Sequence, residues 1–307
     1  MRLLVVGAGS IGGYFGGRLA QAGRDVTFLV RQERARQLRA NGLQIISPYG
    51  DITLSPKLVT ADTLRGYYDA ILLTVKGFAL DAALDDIRPA MGPSTVILPV
   101  LNGMRHLELL EERFGSSAVG GCICKAATIL EDDGRIIQLS KLQDLAYGEL
   151  DGKPSDRMLA LDSFMTDAEF NARLSPVIAR EMWEKWILLA TVGGINCLMH
   201  GTIGEVEAAP SGHTFILQFL DEVTSIVKRV GLPPSDEYFD QIRVQLTQKG
   251  SPQTSSMYRD LMKGRRIEVE EIIGDLFRRG IQAGLQTPLL ATAYTKLSIY
   301  AARVTGS

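Results

Sequence analysis

The chain has few of the residues that build disulfide scaffolds, metal centres or strongly charged surfaces. Its 307 residues include only three cysteines and three histidines, and the cysteines show neither C-x-x-C nor Cys/His metal spacing. This composition predicts reduced thiols in a cytoplasmic protein without a metal site. The formal net charge of −2 argues against a nucleic acid or an anionic membrane as a partner.

Long apolar runs are also absent. The longest, from Trp186 to Met199, is interrupted by Gly193, Gly194 and Asn196 and is shorter than the about 20 residues that a membrane helix needs. The apolar residues 3–6 are followed by glycines rather than by a small-residue cleavage pattern. We therefore expect neither a membrane span nor a secretion signal.

A glycine motif follows the first apolar strand, and a helical stretch and a second strand at residues 25–30 come after it. In such a unit the first glycine allows a tight turn, the second lets the backbone approach a pyrophosphate, and the third lets helix and strand pack closely. The helix N-terminus adds free N–H groups for the anion. The predicted pyrophosphate loop comprises Gly7, Ala8, Gly9, Ser10, Ile11 and Gly12.

The residue that ends the second strand indicates the cofactor. NAD sites carry an Asp or Glu there, about 20 residues past the glycines, to accept the ribose hydroxyls. This chain has Arg31, with Arg34 and Arg36 just beyond, and a guanidinium pairs with a 2′-phosphate. We therefore predict NADPH. The alternative, which the nearby Glu33 keeps open, is that Arg31 only begins a solvated helix.

The remaining pattern predicts two domains. YDAILLTVK and STVILPVLNG are continuous apolar runs, typical of parallel strands covered by helices on both faces. Antiparallel strands in AVGGCICKAATIL, GRIIQLS and DLAYGEL then complete a doubly wound, mostly parallel α/β Rossmann domain over residues 1–174. Ser175-Pro176 has the form of a helix start, and an all-α domain is predicted over residues 175–307.

Two polar residues follow strands of the predicted sheet. Lys76 and Asn102 come directly after the two continuous apolar runs, and ligands of open α/β sheets bind outside the carboxyl ends of the strands. Both side chains are therefore candidates for the nicotinamide end of the cofactor. The alternatives are a solvated strand end for Lys76 and a turn residue in Asn-Gly for Asn102.

Lys185 is the candidate proton donor. Its neighbours at helical spacing include Met182, Leu189 and Val192. Apolar surroundings in general lower the pKa of a lysine, which makes it a usable acid near neutral pH. The alternative is a lysine that extends along a core helix and pairs with Glu181.

A second polar cluster lies in SSMYRDLMKGRRIEVEE. Ser255 and Ser256 begin a short helix, and Glu268, Glu270 and Glu271 occupy the start of the next one. Acidic residues in a first helical turn are favourable with the helix dipole. The spacing does not choose which of the three carboxylates faces a site.

Together these motifs resemble those of the ketopantoate reductase family, in order and over essentially the whole chain. The residues that carry the resemblance are GAGSIGG at the start, Lys76, Asn102-Gly103, Trp-Glu-Lys185, and Ser256 with Glu268 following it. The family implies a Rossmann domain, a helical domain, and NADPH-dependent reduction of 2-dehydropantoate (ketopantoate) to pantoate in pantothenate and coenzyme A synthesis. A small 2-keto acid is then the expected partner.

The resemblance also implies roles for single residues. It assigns Arg31 to the 2′-phosphate, Lys185 to the proton donated to the carbonyl oxygen, and Glu268 to contacts with cofactor and substrate. The nicotinamide end would be lined by Lys76, Asn102 and Ala127, and the substrate would be bound by Asn102, Lys185 and Ser256.

The chain departs from the family where the substrate is expected to bind. Family members carry asparagines at the positions of Leu189, Gly193 and Ile203, and Asn196 is the candidate for replacing one of the missing amides. The loss of paired polar contacts strongly changes how an enzyme discriminates between substrates. A more apolar 2-keto acid is therefore an alternative substrate.

Two further functions stay open on the sequence alone. One is a dehydrogenase that oxidises an amino or hydroxy acid, and the other is a non-catalytic NADP(H)-binding regulator. Lys185, Ser256 and Glu268 argue against the regulator, since a binding module needs no proton donor. The oligomeric state is open as well, with a homodimer as one alternative.

Overall fold

The computed structural model describes residues 1–306, whose contacts form two compact units. The first comprises residues 1–101 and 106–179, and the second comprises residues 102–105 and those from 180 onward. The domain boundary predicted from the sequence lies a few residues earlier, near residue 174. The first turn of the long helix belongs to the first unit because Ile178 packs against the backbone at Gly121 and Gly148.

The elements alternate strand and helix at first and are helical later. The strands are β1 (Arg2–Val6), β2 (Asp25–Leu29), β3 (Leu43–Ile46), β4 (Ile52–Leu54), β5 (Lys57–Val59), β6 (Ala70–Leu73), β7 (Val96–Pro99), β8 (Gly121–Leu130), β9 (Ile136–Gly148) and β10 (Asn171–Leu174). The helices are α1 (Ser10–Gln21), α2 (Gln32–Asn41), α3 (Leu80–Asp86), α4 (Arg105–Phe114), α5 (Asp156–Met165), α6 (Ile178–Met199), α7 (Ile203–Ala208), α8 (Gly212–Val230), α9 (Asp236–Leu246), α10 (Ser256–Met262), α11 (Asp275–Gln282) and α12 (Pro288–Thr305).

The main sheet of the first unit is parallel throughout, in the order β5-β2-β1-β6-β7. Successive side chains of a strand point to opposite faces. Accordingly Leu3 and Val5 lie in one buried apolar cluster, and Leu4 and Val6 lie in the other. Both faces of the sheet are therefore covered, which confirms the predicted doubly wound architecture.

A second sheet in this unit has the order β10-β9-β3-β4, with β8 paired antiparallel to β9. The segments GRIIQLS and DLAYGEL are one strand, β9, so their prediction as two strands is wrong. Pairing with β8 continues on both sides of an irregularity. The exposed residues 139–142 bulge from the ladder instead of ending the strand.

The second unit is helical and packs around α6 and α8. Gly194 of α6 lies directly over the ring of Phe219 in α8, where a Cβ would lie 2.3 Å from the ring. The long helix begins at Ile178 rather than at the predicted Pro176, because the Ser175 hydroxyl accepts the Val177 N–H within a preceding turn. Helix α7, which the sequence did not predict, begins with a capping box from Thr202.

None of the helices among residues 1–306 is both long and apolar enough to cross a membrane. Within the same residues, no group of three or more His, Cys, Asp or Glu side chains is placed to hold a metal ion.

Candidate active site

Two glycines of the loop lie where a side chain would be strained or would clash. Gly7 has a φ of +95°, which favours glycine. A Cβ on Gly12 would lie 2.2 Å from the Gly7 carbonyl oxygen and 2.2 Å from Thr74 Oγ1, so helix α1 approaches β1 and β6 too closely for any side chain there. Two of the three glycines are thus required by the protein itself, Gly7 by its backbone conformation and Gly12 by packing.

Gly9 differs, because a Cβ there would meet no atom within 4 Å. Open space therefore lies before the backbone at the N-terminus of α1, and no side chain caps this helix. The first N–H groups of a helix have no partner within it and suit an anion. These features fit a dinucleotide pyrophosphate.

Two residues that the sequence analysis did not single out for this role hold the loop in place. Thr74 Oγ1 donates a hydrogen bond to the Val6 carbonyl at 2.8 Å. The Arg34 guanidinium donates to the Ala8 carbonyl at 3.1 Å and to the Gly134 carbonyl at 3.1 Å, and it also binds Gln37. Burial lowers the pKa of Arg34. Arg34 is therefore committed to the loop and to the β8–β9 turn.

Arg31 is placed differently from Arg34. It is exposed just after β2 and precedes the first residue of α2. No hydrogen bond or ion pair joins its guanidinium to any other of the residues 1–306. Because neighbouring parallel strands are in register, the end of β2 lies beside the end of β1 and the glycine loop. Of the two arginines, Arg31 is the one available to a ligand.

The predicted nicotinamide residues of the first unit lie at irregular points of the backbone. Lys76 is exposed, lies just past the carboxyl end of β6, and begins a 3-10 turn. Ala127 is half buried in β8, where the pairing with β9 shifts register between Ala126 and Thr128. Such β-bulges are frequent next to active sites because they re-aim the chain.

Lys185 lies on α6 in the helical unit and is half buried. Its ammonium makes no hydrogen bond or ion pair with another of the described residues, so the alternative pairing with Glu181 is not present. The two flanking residues are engaged. Glu184 accepts from Ser235 N at 2.9 Å, and the Trp186 indole donates to the Ile272 carbonyl at 2.9 Å. Lys185 is thus a cation held between two anchored neighbours.

Among the three candidate carboxylates, Glu268 is the one joined to another predicted site residue. Asn102 Nδ2 donates to Glu268 Oε2 at 3.2 Å, across 166 residues of sequence. Glu268 is 9% exposed. The adjoining Gly103 has a φ of +79°, and its Cβ position lies 2.2 Å from the Glu271 carbonyl oxygen. The Asn102-Gly103 turn therefore sits directly on the segment that carries Glu268.

The other two carboxylates have different environments. Glu270 forms an ion pair with Arg278 at 2.9 Å and accepts from the Tyr294 hydroxyl at 2.9 Å. Burial raises the pKa of Glu271, and the nearby charges of Glu268 and Glu270 raise it further. Glu270 is thus occupied by a surface pair, which leaves Glu268 as the carboxylate of the Asn102 contact.

The two predicted substrate residues near α10 also differ. Ser256 is exposed in the first turn of α10, while Ser255 caps that helix by accepting the Tyr258 N–H. Asn196 is fully buried; its amide donates to the Gly201 carbonyl at 2.8 Å and accepts from Ser255 N at 2.8 Å. Both polar atoms of the Asn196 amide are thus paired within the protein, at the start of α10.

The three positions where family members carry asparagines are not equivalent. Leu189 is partly exposed one turn along α6 from Lys185. Gly193 is buried, and a Cβ on it would lie 2.8 Å from Met257 Cε. Ile203 is fully buried at the start of α7. Of the three, only Leu189 has an exposed part that a ligand could contact.

Comparisons with known proteins identify the family of this chain. The family model described as "Ketopantoate reductase PanE/ApbA" matches residues 3–152, and that of "Ketopantoate reductase PanE/ApbA C terminal" matches residues 177–301. The chain is 32% identical to "Uncharacterized oxidoreductase YkpB" of Bacillus subtilis, over 98% of this chain and 99% of that protein. It is 25% identical to the 2-dehydropantoate 2-reductase of Vibrio cholerae, over 97% of both chains.

A solved structure shows the same fold. The 2-dehydropantoate 2-reductase from Geobacter metallireducens GS-15 superposes with a TM-score of 0.86 at 25% identity, covering 97% of this chain and 99% of that one. Both family models, and relatives that match over nearly their whole length, thus name the same family. The chain belongs to the ketopantoate reductase family of oxidoreductases.

Proposed function

We propose that this protein reduces a 2-keto acid to the 2-hydroxy acid with NADPH, and that Lys185 donates the proton. The observation that carries the proposal is the half-buried Lys185 ammonium, which has no partner among the described residues. A cation without an ion pair is available to stabilise and protonate a developing alkoxide. A non-catalytic NADP(H)-binding regulator would have no use for such a group.

The cofactor proposal rests on the first unit. The open face of Gly9 and the N-terminus of α1 suit the pyrophosphate, and the unpaired Arg31 suits a 2′-phosphate. Bound NADPH would supply the hydride. By resemblance to the family, Lys76 and Ala127 would line the site of the nicotinamide.

The substrate proposal rests on the helical unit. Glu268 holds the Asn102 amide in place, and Ser256 presents a hydroxyl at the surface of α10. We propose that these groups orient the acid while Lys185 contacts its keto oxygen. Ketopantoate is the first substrate to test, because it is the substrate for which the family is named.

A second candidate is a 2-keto acid with a more apolar side chain. It is favoured by Asn196, whose amide is fully used within the protein, and by Leu189, which offers an apolar surface beside Lys185. We propose that no amide of this protein then replaces the asparagines that other family members carry at positions 189, 193 and 203. A hydroxyl on the substrate would find fewer partners here.

The experiment is an assay of NADPH oxidation with ketopantoate and with trimethylpyruvate, which has the same carbon skeleton without the hydroxyl. Turnover of either acid supports the proposal, and the ratio of the two kcat/KM values separates the candidates. Saturable NADPH binding without turnover of either acid would reject the reductase.

The change Leu189→Asn is expected to raise the preference for ketopantoate over trimethylpyruvate. If the new amide forms one hydrogen bond worth about 1.4 kcal/mol, the ratio of kcat/KM values rises about tenfold. Leu188→Asn makes the same change one position away on α6 and should leave the ratio unchanged. An equal ratio in wild type and in Leu189→Asn would show that position 189 does not contact the substrate.

A further inference from the structure

A π-turn at Glu270–Gly274 leads into α11. Turns of this type are rare and mostly occur as single insertions within helices, often at functional sites. This one receives a hydrogen bond from another element, because the Trp186 indole N–H donates to the Ile272 carbonyl at 2.9 Å. Trp186 is 1% exposed, so water does not compete for the bond.

The same turn is linked to Glu268, to the Asn102-Gly103 loop and to the helix of Lys185. Ile272 N donates to the Glu268 carbonyl at 3.1 Å, and the Glu268 side chain accepts from Asn102 at 3.2 Å. Gly103 packs on the carbonyl of Glu271. Trp186 itself follows Lys185 in the chain. The turn therefore joins the helix of the proton donor to the carboxylate and to the Asn102 loop.

We propose that Trp186 is a positioning residue, whose indole N–H fixes the π-turn and thereby sets Lys185, Glu268 and Asn102 at their working separation. This inference rests on the proposed function, in which these three residues act on one substrate. Trp186 would not touch the substrate. Its effect is on geometry, and errors of about 1 Å in placing reacting groups can cost about a hundredfold in rate.

Trp183 provides a matched comparison. It lies on the same helix, its ring centroid is 5.4 Å from that of Trp186, and it is 9% exposed. It packs against Gly231, where a Cβ would lie 2.5 Å from the indole, and its indole donates no hydrogen bond to another of the described residues. A role in packing alone would make the two tryptophans equivalent, whereas positioning singles out Trp186.

The first measurement compares Trp186→Phe with Trp183→Phe. Phenylalanine keeps an aromatic ring and removes the N–H. We expect kcat to fall about tenfold in Trp186→Phe, because about that factor corresponds to the loss of a single hydrogen bond. The Kd for NADPH should stay within twofold of wild type. Trp183→Phe should keep kcat within twofold. Equal losses of kcat in both variants, or no loss in either, would overturn the positioning role.

A second pair of measurements holds even if Trp186→Phe folds poorly or the protein reduces no 2-keto acid. In the Trp183→Phe protein, Trp186 is the sole tryptophan and can be replaced by benzothienylalanine, which keeps the ring shape and lacks the N–H. Amide hydrogen exchange of residues 268–276 should then quicken at least tenfold relative to the parent Trp183→Phe protein. Faster exchange with no turnover of any 2-keto acid would reject the proposed function but retain the role of the Trp186 indole in fixing the π-turn. Unchanged exchange would overturn the positioning role.

Discussion

Replacing Lys185 with alanine is expected to lower kcat by about a hundredfold to ten-thousandfold, the range found for removal of a general acid. Lys185 has no ion pair or hydrogen bond among residues 1–306, so its removal leaves no other group unpaired. We therefore expect the Tm and the Kd for NADPH to stay close to those of the wild type. Steady-state kinetics, thermal unfolding and a cofactor titration measure the three quantities.

Lys185→Arg separates the two roles that a lysine can have here. Arginine keeps the positive charge but is not deprotonated in proteins and so is a poor proton donor. If proton donation dominates, Lys185→Arg is nearly as slow as Lys185→Ala; if charge stabilisation dominates, it recovers part of the activity. An unchanged kcat in Lys185→Ala would return this residue to the role of a lysine extended along a core helix.

Replacing Arg31 with alanine is expected to weaken NADPH binding by about tenfold to a hundredfold, because a hydrogen bond to a charged group contributes about 1.5–3 kcal/mol. NADH has no 2′-phosphate, so its Kd should change less than twofold. Tryptophan or cofactor fluorescence titrations of both cofactors give the four values. The comparison of interest is the ratio of the two Kd values before and after the substitution.

Arg34→Ala is the control for this prediction. Its guanidinium binds the Ala8 and Gly134 carbonyls. Its removal should loosen the glycine loop and weaken the binding of NADH and NADPH equally. If Arg31→Ala also weakens NADH and NADPH equally, the 2′-phosphate is bound elsewhere. The same conclusion holds if wild-type protein binds NADH as tightly as NADPH.

The glycine loop shows how much of a site the sequence can predict. Its spacing after an apolar strand indicated a dinucleotide turn, and the φ of Gly7 and the crowding at Gly12 give the reason. The motif is local, since strand, turn and helix are adjacent in the chain. The residues that hold the loop are not local. Thr74 reaches it from a neighbouring strand, and Arg34 joins it to a turn about 100 residues further along.

The carboxylates and amides show the opposite case. Spacing could not choose among Glu268, Glu270 and Glu271, because all three favour the start of a helix equally. The choice depends on which of them meets Asn102, a contact between residues far apart in the chain. The pairing of Asn196 could not be predicted from spacing for the same reason, since its amide binds the backbone at Gly201 and Ser255.

The sequence by itself determined the alternation of strand and helix, the parallel sheet, the helical second half and the tight glycine turn, because periodicity and glycine spacing act over a few residues. Only the tertiary structure decided which arginine is available, which carboxylate pairs with Asn102, and which of Leu189, Gly193 and Ile203 is exposed. Those outcomes depend on burial and on hydrogen bonds between distant segments. Burial and pairing are properties of the folded chain, so the spacing of residues in the sequence does not give them.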